Sequence, residues 1–440
     1  MYDEEVVIIG AGISGLATAL ALHKKGIKSV VMERSKSLRN DGSAIGIRPN
    51  GWRALDQLGV ADILRPTSIP LQRERVVSLD GGKQQDISLV QRVIHNNCSA
   101  PRGRDFVFGR LGFAIQKGVA AQLVARLPFV LMYHCIGETR CLLRKDVIDT
   151  LYAALPPTTV KFSCELESIE LDPLTTKPVL RFIDGSTITT KVVIGCDGGK
   201  SIVANFLKLK PTKMFTASTI RGLTNYPHGH PFDLEFTKFK KDGILVGRIP
   251  IDNNMVYWFC SQASISKDEE IWKNPEVIRQ HTIELLSNYP QEFQEMAQNA
   301  DMNSLSFTHL RYRHPWELLT GTFFRGTVTV VGDAMHVMGP FLGQGGSAAL
   351  EDAVVLARNM AQLGLNHAES GSKVIVHRVG KAFDQFVRQR RTRVVRLTLQ
   401  AYLIGMLATS SRLKKIIWIM LLILLFPNQN SHVDYDCGDL

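Results

Sequence analysis

The sequence predicts an α/β protein: a discontinuous Rossmann-like domain, a second β-sheet domain set among its pieces, and helices toward the C-terminal end. Three observations carry this. Val6–Arg34 (VVIIGAGISGLATALALHKKGIKSVVMER) reads as strand, glycine turn, Ala/Leu helix and second strand. Two later apolar strands, Val192–Cys196 (VVIGC) and Val328–Val331 (VTVV), run into Asp197-Gly198 and Gly332-Asp333. The intervening stretch, about 206–321, carries hairpin patterning of another character.

In the first segment, Val6–Ile9 is a short apolar strand and Leu16–Leu22 a helix. Between them stand Gly10, Ala11, Gly12, Ile13, Ser14 and Gly15, a G-x-G-x-x-G turn. Its glycines let the backbone turn tightly and approach a pyrophosphate, and the helix N-terminus offers free N–H groups and a positive dipole end. Val30–Met32 is the second strand, and Glu33 at its tip can accept hydrogen bonds from a ribose. Strand, turn, helix, strand and acid in register predict a dinucleotide site.

Further along, residues 95–135 show neither clean alternation nor a capped helix and read as an insertion or irregular loop. Ile244–Pro250 and Asn254–Cys260 read as strands joined at Ile251-Asp252-Asn253, Thr308–Arg313 as another strand, and Lys267–Ala300 as helical. Gly332–Ala353 (GDAMHVMGPFLGQGGSAALEDA) gives a strand end, a loop with Pro340, Gly343, Gly345 and Gly346, and a helix starting near Ser347. From Glu351 the chain reads as largely helical. The division expected is 1–75, 136–205 and 322–385 for the first domain, 76–94 and 206–321 for the second, and 386–440 for a C-terminal helical region.

Composition sets bounds. The chain has 440 residues, 45% hydrophobic and 21% charged, as an ordinary globular protein does. Its net charge of +11 is spread rather than packed into one tract, and no nucleic-acid module is visible. Seven cysteines without a C-x-x-C pair argue against a disulfide framework or zinc site and fit a reducing compartment. A strand beginning by residue 6 leaves no room for a targeting peptide, so a cytoplasmic location is expected. The apolar run Ile416–Phe426, preceded by Lys414 and Lys415, is too short to span a bilayer. A buried helix is the expectation and peripheral attachment to a membrane the alternative.

Asp333 can accept hydrogen bonds from a polyol, and the glycine-rich helix start after Pro340 can face a developing anion. Two anion sites on one chain suggest an extended cofactor such as FAD. Taken together, G-x-G-x-x-G, CDGGKS and GDAMHxxxPxxGQGG resemble the FAD-dependent aromatic-ring hydroxylases, more narrowly the plant monooxygenases related to zeaxanthin epoxidase. LRYRHPWELL and the terminal DYDCGDL add to the likeness. The resemblance implies that Gly10, Gly12 and Gly15 hold the FAD pyrophosphate, with Glu33 and Arg34 at the adenosine ribose. It gives Arg144 a contact to FAD, and Asp197 and Gly198 a role toward FAD and the nicotinamide cofactor. Asp333 would bind the ribityl and pyrophosphate region, and Gly343, Gln344, Gly345 and Gly346 would flank the flavin ring. Three positions depart from the pattern: Ala204 stands for an arginine, Val337 for a proline and Ser347 for an asparagine.

The implied reaction uses NAD(P)H and dioxygen to hydroxylate or epoxidise a small organic, aromatic or alkene substrate through a flavin hydroperoxide. A flavin reductase or dehydrogenase without oxygen insertion, and a flavin-binding protein without turnover, stay open as alternatives. No catalytic acid or base is assigned. His336 is expected to pack and hydrogen-bond near the cofactor loop, and Cys196 to be a small buried residue. Arg388, Arg390, Arg391, Arg393 and Arg396 read as a solvated helix face. Glu138 and Arg140 suit a surface ion pair as well as a site. Alternation sends only one of Tyr257 and Trp258 to any given face.

Overall fold

A computed structural model describes residues 2–38, 44–80, 82–89, 137–263, 271–364, 372–410, 412–428 and 431–440. The 95–135 segment lies outside them. Strand β1 (Tyr2–Ile9), helix α1 (Ile13–Lys24) and β2 (Val30–Met32) form the opening βαβ unit. Strand β3 (Ala44–Ile47) leads into α2 (Pro49–Leu58), and β4 (Arg73–Ser78) and β5 (Lys83–Ser88) form a hairpin. Strand β6 (Arg140–Leu143) pairs antiparallel with β3 and runs straight into α3 (Arg144–Ala153). Then come β7 (Val160–Lys161), β8 (Leu166–Leu171), β9 (Pro178–Phe182), β10 (Thr187–Gly195) and the short α4 (Ile202–Phe206).

Four strands follow, β11 (Lys213–Asn225), β12 (Glu235–Lys241), β13 (Ile244–Pro250) and β14 (Met255–Ala263). Helices α5 (Pro275–Leu285) and α6 (Gln291–Gln298) precede β15 (Ser306–Tyr312) and α7 (Pro315–Thr320). Strands β16 (Phe324–Arg325) and β17 (Val328–Val330) lead to α8 (Gly345–Gln362), α9 (Ser372–Thr409) and α10 (Arg412–Leu425).

The first sheet has the order β16-β17-β10-β1-β2-β7, with the β8–β9 hairpin attached through β10. Its central strands β2, β1, β10 and β17 are parallel, and Ile9, Gly195 and Val330 stand side by side at their carboxyl ends. Val6–Ile9 is buried residue by residue, the signature of a strand covered on both faces. Because α1 packs with Ala17, Ala19 and Ala21 turned into the core, the helix lies close to the sheet. Three strands from distant sequence thus present their glycine turns on one edge, where open α/β sheets bind ligands.

The second sheet has the order β15-β11-β14-β13-β12-β4-β5. One face, with Ile220, Val246 and Trp258, buries against Phe293 and Met296 of α6. The other carries Leu223, Phe236 and Tyr257 and packs on Ala44 and Leu143 of the first domain. Trp258 donates its indole N–H to Thr224 at 3.0 Å and belongs to the helix-covered core, while half-buried Tyr257 faces the first domain.

Several expectations are corrected. Strand β4 begins at Arg73, ahead of the boundary expected after residue 75, and pairs in parallel with β12. Helix α9 runs unbroken across residues 385–386. The arginine run is a solvated face only in part: Arg388 and Arg396 are exposed, whereas Arg390 and Arg393 are buried and Arg391 caps carbonyls of Leu318 and Gly321. Nor is α10 buried, since a full side of it faces solvent. Glu138 and Arg140 do pair, and Arg140 also donates to the carbonyls of Arg65 and Ser68, which makes the pair a clamp on that turn.

Candidate cofactor and active site

The G-x-G-x-x-G turn closes because each glycine meets a different obstacle. At Gly10 (φ +101°) a Cβ would sit 2.8 Å from the Cys196 carbonyl oxygen and 3.3 Å from the Asp197 Cα. At Gly15 it would lie 1.9 Å from the Gly10 carbonyl oxygen. Around Gly12, by contrast, nothing lies within 4 Å of that position. Gly12 caps α1 without a side-chain hydrogen bond, and the first turn of α1 holds no acidic residue. A helix N-terminus so left open, with backbone in front of it, suits an anion. The intervening Ala11 and Ile13 are buried, and the buried Ser14 hydroxyl lies against Cys196 and Gly332.

Glu33 is buried at the tip of β2. Its Oε2 accepts the Ala11 N–H at 2.7 Å and its Oε1 the Ser35 N–H at 2.9 Å. The acid therefore ties the glycine turn to β2. Arg34 beside it is exposed, and half-buried Arg144 opens α3.

The second and third segments converge on the same edge. Asp197 Oδ2 accepts the Ile202 N–H at 2.7 Å, so the acid holds the start of α4. Its Oδ1 is buried without a partner, and burial raises its carboxyl above the ordinary range against the hydrogen bond from Ser201. Gly198 (φ +79°) turns the chain after it. Cys196 is buried, and desolvation pushes its thiol up to about 12, which keeps it protonated and inert. A Cβ on Gly332 (φ +60°) would meet the Ser14 hydroxyl at 2.6 Å, which seats the third strand end on α1. Asp333 follows, exposed, in a single helical turn to His336. A Cβ on Gly345 would stand 3.9 Å from its Oδ1. Pro340 and Gly343 are exposed and Gly346 packs over Ile45 of β3.

Gln344 behaves differently. Its side chain is buried and exchanges hydrogen bonds with Asn50 of α2 at 2.8 and 3.3 Å, so only its backbone faces the loop.

Beneath the loop lies a charge cluster that the linear sequence did not disclose. His336 Nε2 lies 2.6 Å from Asp352 Oδ2, which also accepts the Gly332 N–H at 3.0 Å. Arg390 donates to Asp352 Oδ1 at 2.6 Å and pairs with Glu351 at 2.7 Å. Arg393 adds a second bond to Glu351 at 2.9 Å, and the Asn50 amide donates to Glu351 at 2.6 Å. Tyr435 covers Arg393 and Arg390, whose guanidinium carbons lie 4.5 and 5.2 Å from its ring. The available signal was Glu351-Asp352 in the otherwise apolar helix AALEDAVVLA, since adjacent buried acids demand cations. Buried Arg313 was also missed; it donates to the carbonyls of Lys210 (2.5 Å) and Ala334 (3.3 Å) and braces the Asp333 turn.

The departures fit local packing. Ala204 is buried in the first core with its N–H on the Ser201 hydroxyl at 2.8 Å. Val337 lies against Gly199, and Ser347 against Gly51 of α2, whose Cβ would meet its hydroxyl at 2.5 Å.

The second sheet's inner surface, which packs on Ala44 of β3 and Leu143 of β6, is aromatic. Tyr257 and Phe259 have ring centroids 6.2 Å apart, and Phe236 and Phe259 6.1 Å. Phe259 lies flat across Gly247, where a Cβ would meet its ring at 2.5 Å. The open approach at Gly12, the uncapped start of α1 and the buried unpartnered Oδ1 of Asp197 fit a long pyrophosphate-bearing coenzyme.

Comparison with known proteins agrees. Residues 3–372 match the family described as FAD binding domain. The chain is 41% identical to Monooxygenase 1 of Arabidopsis thaliana, over all of both chains. It is 27% identical to the FAD-dependent urate hydroxylase of Mycolicibacterium vanbaalenii, covering 80% of this chain and 78% of that one. In structure it resembles HpxO of Klebsiella pneumoniae, solved with FAD and uric acid. The TM-score is 0.72 at 20% identity, over 98% of this chain and 96% of that one, a likeness of fold.

Proposed function

The chain belongs to the FAD-dependent aromatic-ring hydroxylases and is an FAD-dependent monooxygenase; from that premise we propose that it takes electrons from NAD(P)H and inserts one atom of dioxygen into a small planar, conjugated molecule, the other atom leaving as water. The observation that carries this reading is the aromatic face of Phe236, Tyr257 and Phe259, which packs through Phe236 and Tyr257 with Ala44 of β3 and Leu143 of β6, while Ile45 of β3 meets Gly346 of the Pro340–Gly346 loop. Flat aromatic surface favours flat substrates, through burial and offset or edge contacts. The names of relatives that act on urate point the same way.

In this reading the Gly10–Gly15 turn and the start of α1 hold the pyrophosphate, and Glu33 and Arg34 border the adenosine end. Arg144, Asp197, Gly198 and Asp333 line the middle of the coenzyme. The backbone of Pro340–Gly346 lies beside the ring. When bound, FAD supplies hydride acceptance and activation of dioxygen. The start of α8 at Gly345, which has no side-chain cap, would offer N–H groups and a positive dipole end to the ring and so favour negative charge on it. The inner sheet face keeps water away. His336 is held by Asp352 in full burial and serves the loop rather than the substrate.

The test is turnover by FAD-loaded protein with NADPH or NADH, isotopically heavy dioxygen, and a panel of purines, hydroxybenzoates and conjugated alkenes. One heavy oxygen atom in the product is expected. Reduced nicotinamide consumed with all oxygen recovered as hydrogen peroxide, across the panel, overturns the reading and leaves a reductase. Phe259→Ala should raise KM more than it lowers kcat, by about tenfold, since the wall contributes binding more than chemistry.

A further inference from the structure

Helix α10 packs through Ile419, Leu422 and Phe426 on the cluster formed by Phe215, Tyr312 and Tyr402. Its opposite side is apolar and bare. Leu413 is 79% exposed, Leu424 71%, Met420 57% and Ile417 56%, with Ile416 beside them. At 100° per residue these five fall within one arc of the helix. A contiguous apolar stripe left bare to water marks a contact surface.

The stripe continues onto α7. Trp316 and Leu319 are exposed there. Trp316 stacks on His314 at 4.5 Å and meets Tyr402 at 5.9 Å, and Tyr402 in turn meets half-buried Trp418 of α10 at 6.3 Å. Tryptophans beside an apolar stripe suit the boundary between headgroups and acyl chains. The rim is basic. Lys210 and Lys213 act on His314 on one side, and Lys415 lies near Lys240, next to Lys414, on the other; Glu317 and Asp80 are the acids in the same surroundings.

We infer that the outer face of α10, together with Trp316 and Leu319, is a docking surface for an anionic lipid bilayer. The helix lies in the plane of the interface. Fourteen residues reach about 21 Å, short of the ~30 Å hydrocarbon core, and among the described residues no helix is long and apolar enough to cross a membrane. Lysines around the stripe match negative headgroups, each strengthening attachment within a Debye length. A second copy docking through the same face would set that lysine rim against itself, so charge favours lipid over self-association.

The experiment is flotation of the full, FAD-loaded chain with vesicles of phosphatidylcholine alone or with about one-third phosphatidylserine. Binding to the anionic vesicles is expected, weaker by roughly tenfold on neutral ones and weakened by added salt. Ile417→Glu with Leu424→Glu should abolish flotation while flavin content and thermal midpoint stay unchanged, because both side chains already face water. Lys414→Glu with Lys415→Glu should remove the preference for phosphatidylserine. Protein that stays unbound with both vesicle types overturns the inference. So does an Ile417→Glu, Leu424→Glu variant that floats like the parent. A dimer in sedimentation that this variant dissolves assigns the face to a second copy and likewise overturns it.

Discussion

Gly12 and Gly15 sit three residues apart in one motif and fail in different ways when a side chain is added. Gly12 has ordinary extended backbone, φ −78° and ψ −178°, and open space around its Cβ position. Gly12→Val should leave the thermal midpoint of the flavin-free protein within about 1 °C and cost FAD affinity at least about a hundredfold, read by fluorescence titration. Gly15→Ala drives its methyl into the Gly10 carbonyl and should unfold or weaken the protein itself by about 2–4 kcal/mol, read by denaturant titration. Equal effects of the two changes on stability would refute this division of labour. Asp352 sets a pH limit at the same scale. Burial raises its carboxyl, but His336 and Arg390 outweigh burial and hold it at about 2, below its ordinary 3.8. A depressed carboxyl stabilises the fold above its unfolded value, and that contribution, about 2 kcal/mol, disappears as pH falls from about 4 to 2. Arg390→Gln should shift the onset of acid unfolding to higher pH; an unchanged onset would show that the pair carries no linkage. At this scale the glycines, Glu33 and Asp333 were legible because their chemistry is local. The engagement of Glu33 with Ala11 and Ser35 was not, since it depends on how the turn folds back.

Among the elements, those with a clean period were legible: β1, α1, β2, β13, β14 and the start of α8 appear close to where apolar pattern and glycines put them. The parallel pairing of β4 with β12 was not, because its partners lie about 160 residues apart (Arg73↔Glu235) and no local pattern encodes the match. The face of α9 was misread for a related reason. A run of arginines normally marks solvent, and only Glu351-Asp352 on α8 turns Arg390 and Arg393 inward. Arg390→Met strips the arginine from Asp352 and Glu351, leaving the buried acids to His336 and Arg393, and should cost about 3–5 kcal/mol. Because Asp352 also holds the Gly332 N–H, the same variant should release flavin more readily on dilution. A variant as stable as the parent would mean that the α8–α9 contact rests on packing alone. The tail is part of this unit: Arg53 donates to the carbonyls of Val433 and Tyr435, and Arg358 to those of Cys437 and Asp439. DYDCGDL is thereby a latch over the arginines.

For the whole molecule, the interleaving of the chain decides how coenzyme and fold are coupled. The first sheet takes its central strands from residues 2–32, 187–195 and 328–330, and the second sheet takes β4 and β5 from between them. The inner face of that second sheet rests on β3 and β6, and Glu74 of β4 is buried between Lys238 of β12 and Arg48 of the first domain. Neither sheet is complete without chain that passes through the other region, so neither can unfold while the other keeps its strands. A ligand held by turns after β1, β10 and β17 grips all of these passes at once. FAD at a hundredfold excess over its dissociation constant should therefore add about 2.7 kcal/mol to the entire structure. In calorimetry this should appear as a rise of a few degrees in one cooperative transition, with the aromatic signal of Trp258 and the flavin released together. Two separated transitions, of which FAD moves only the first, would instead mean that the second sheet stands as an independent unit and that the long-range strand exchange contributes little to cooperativity.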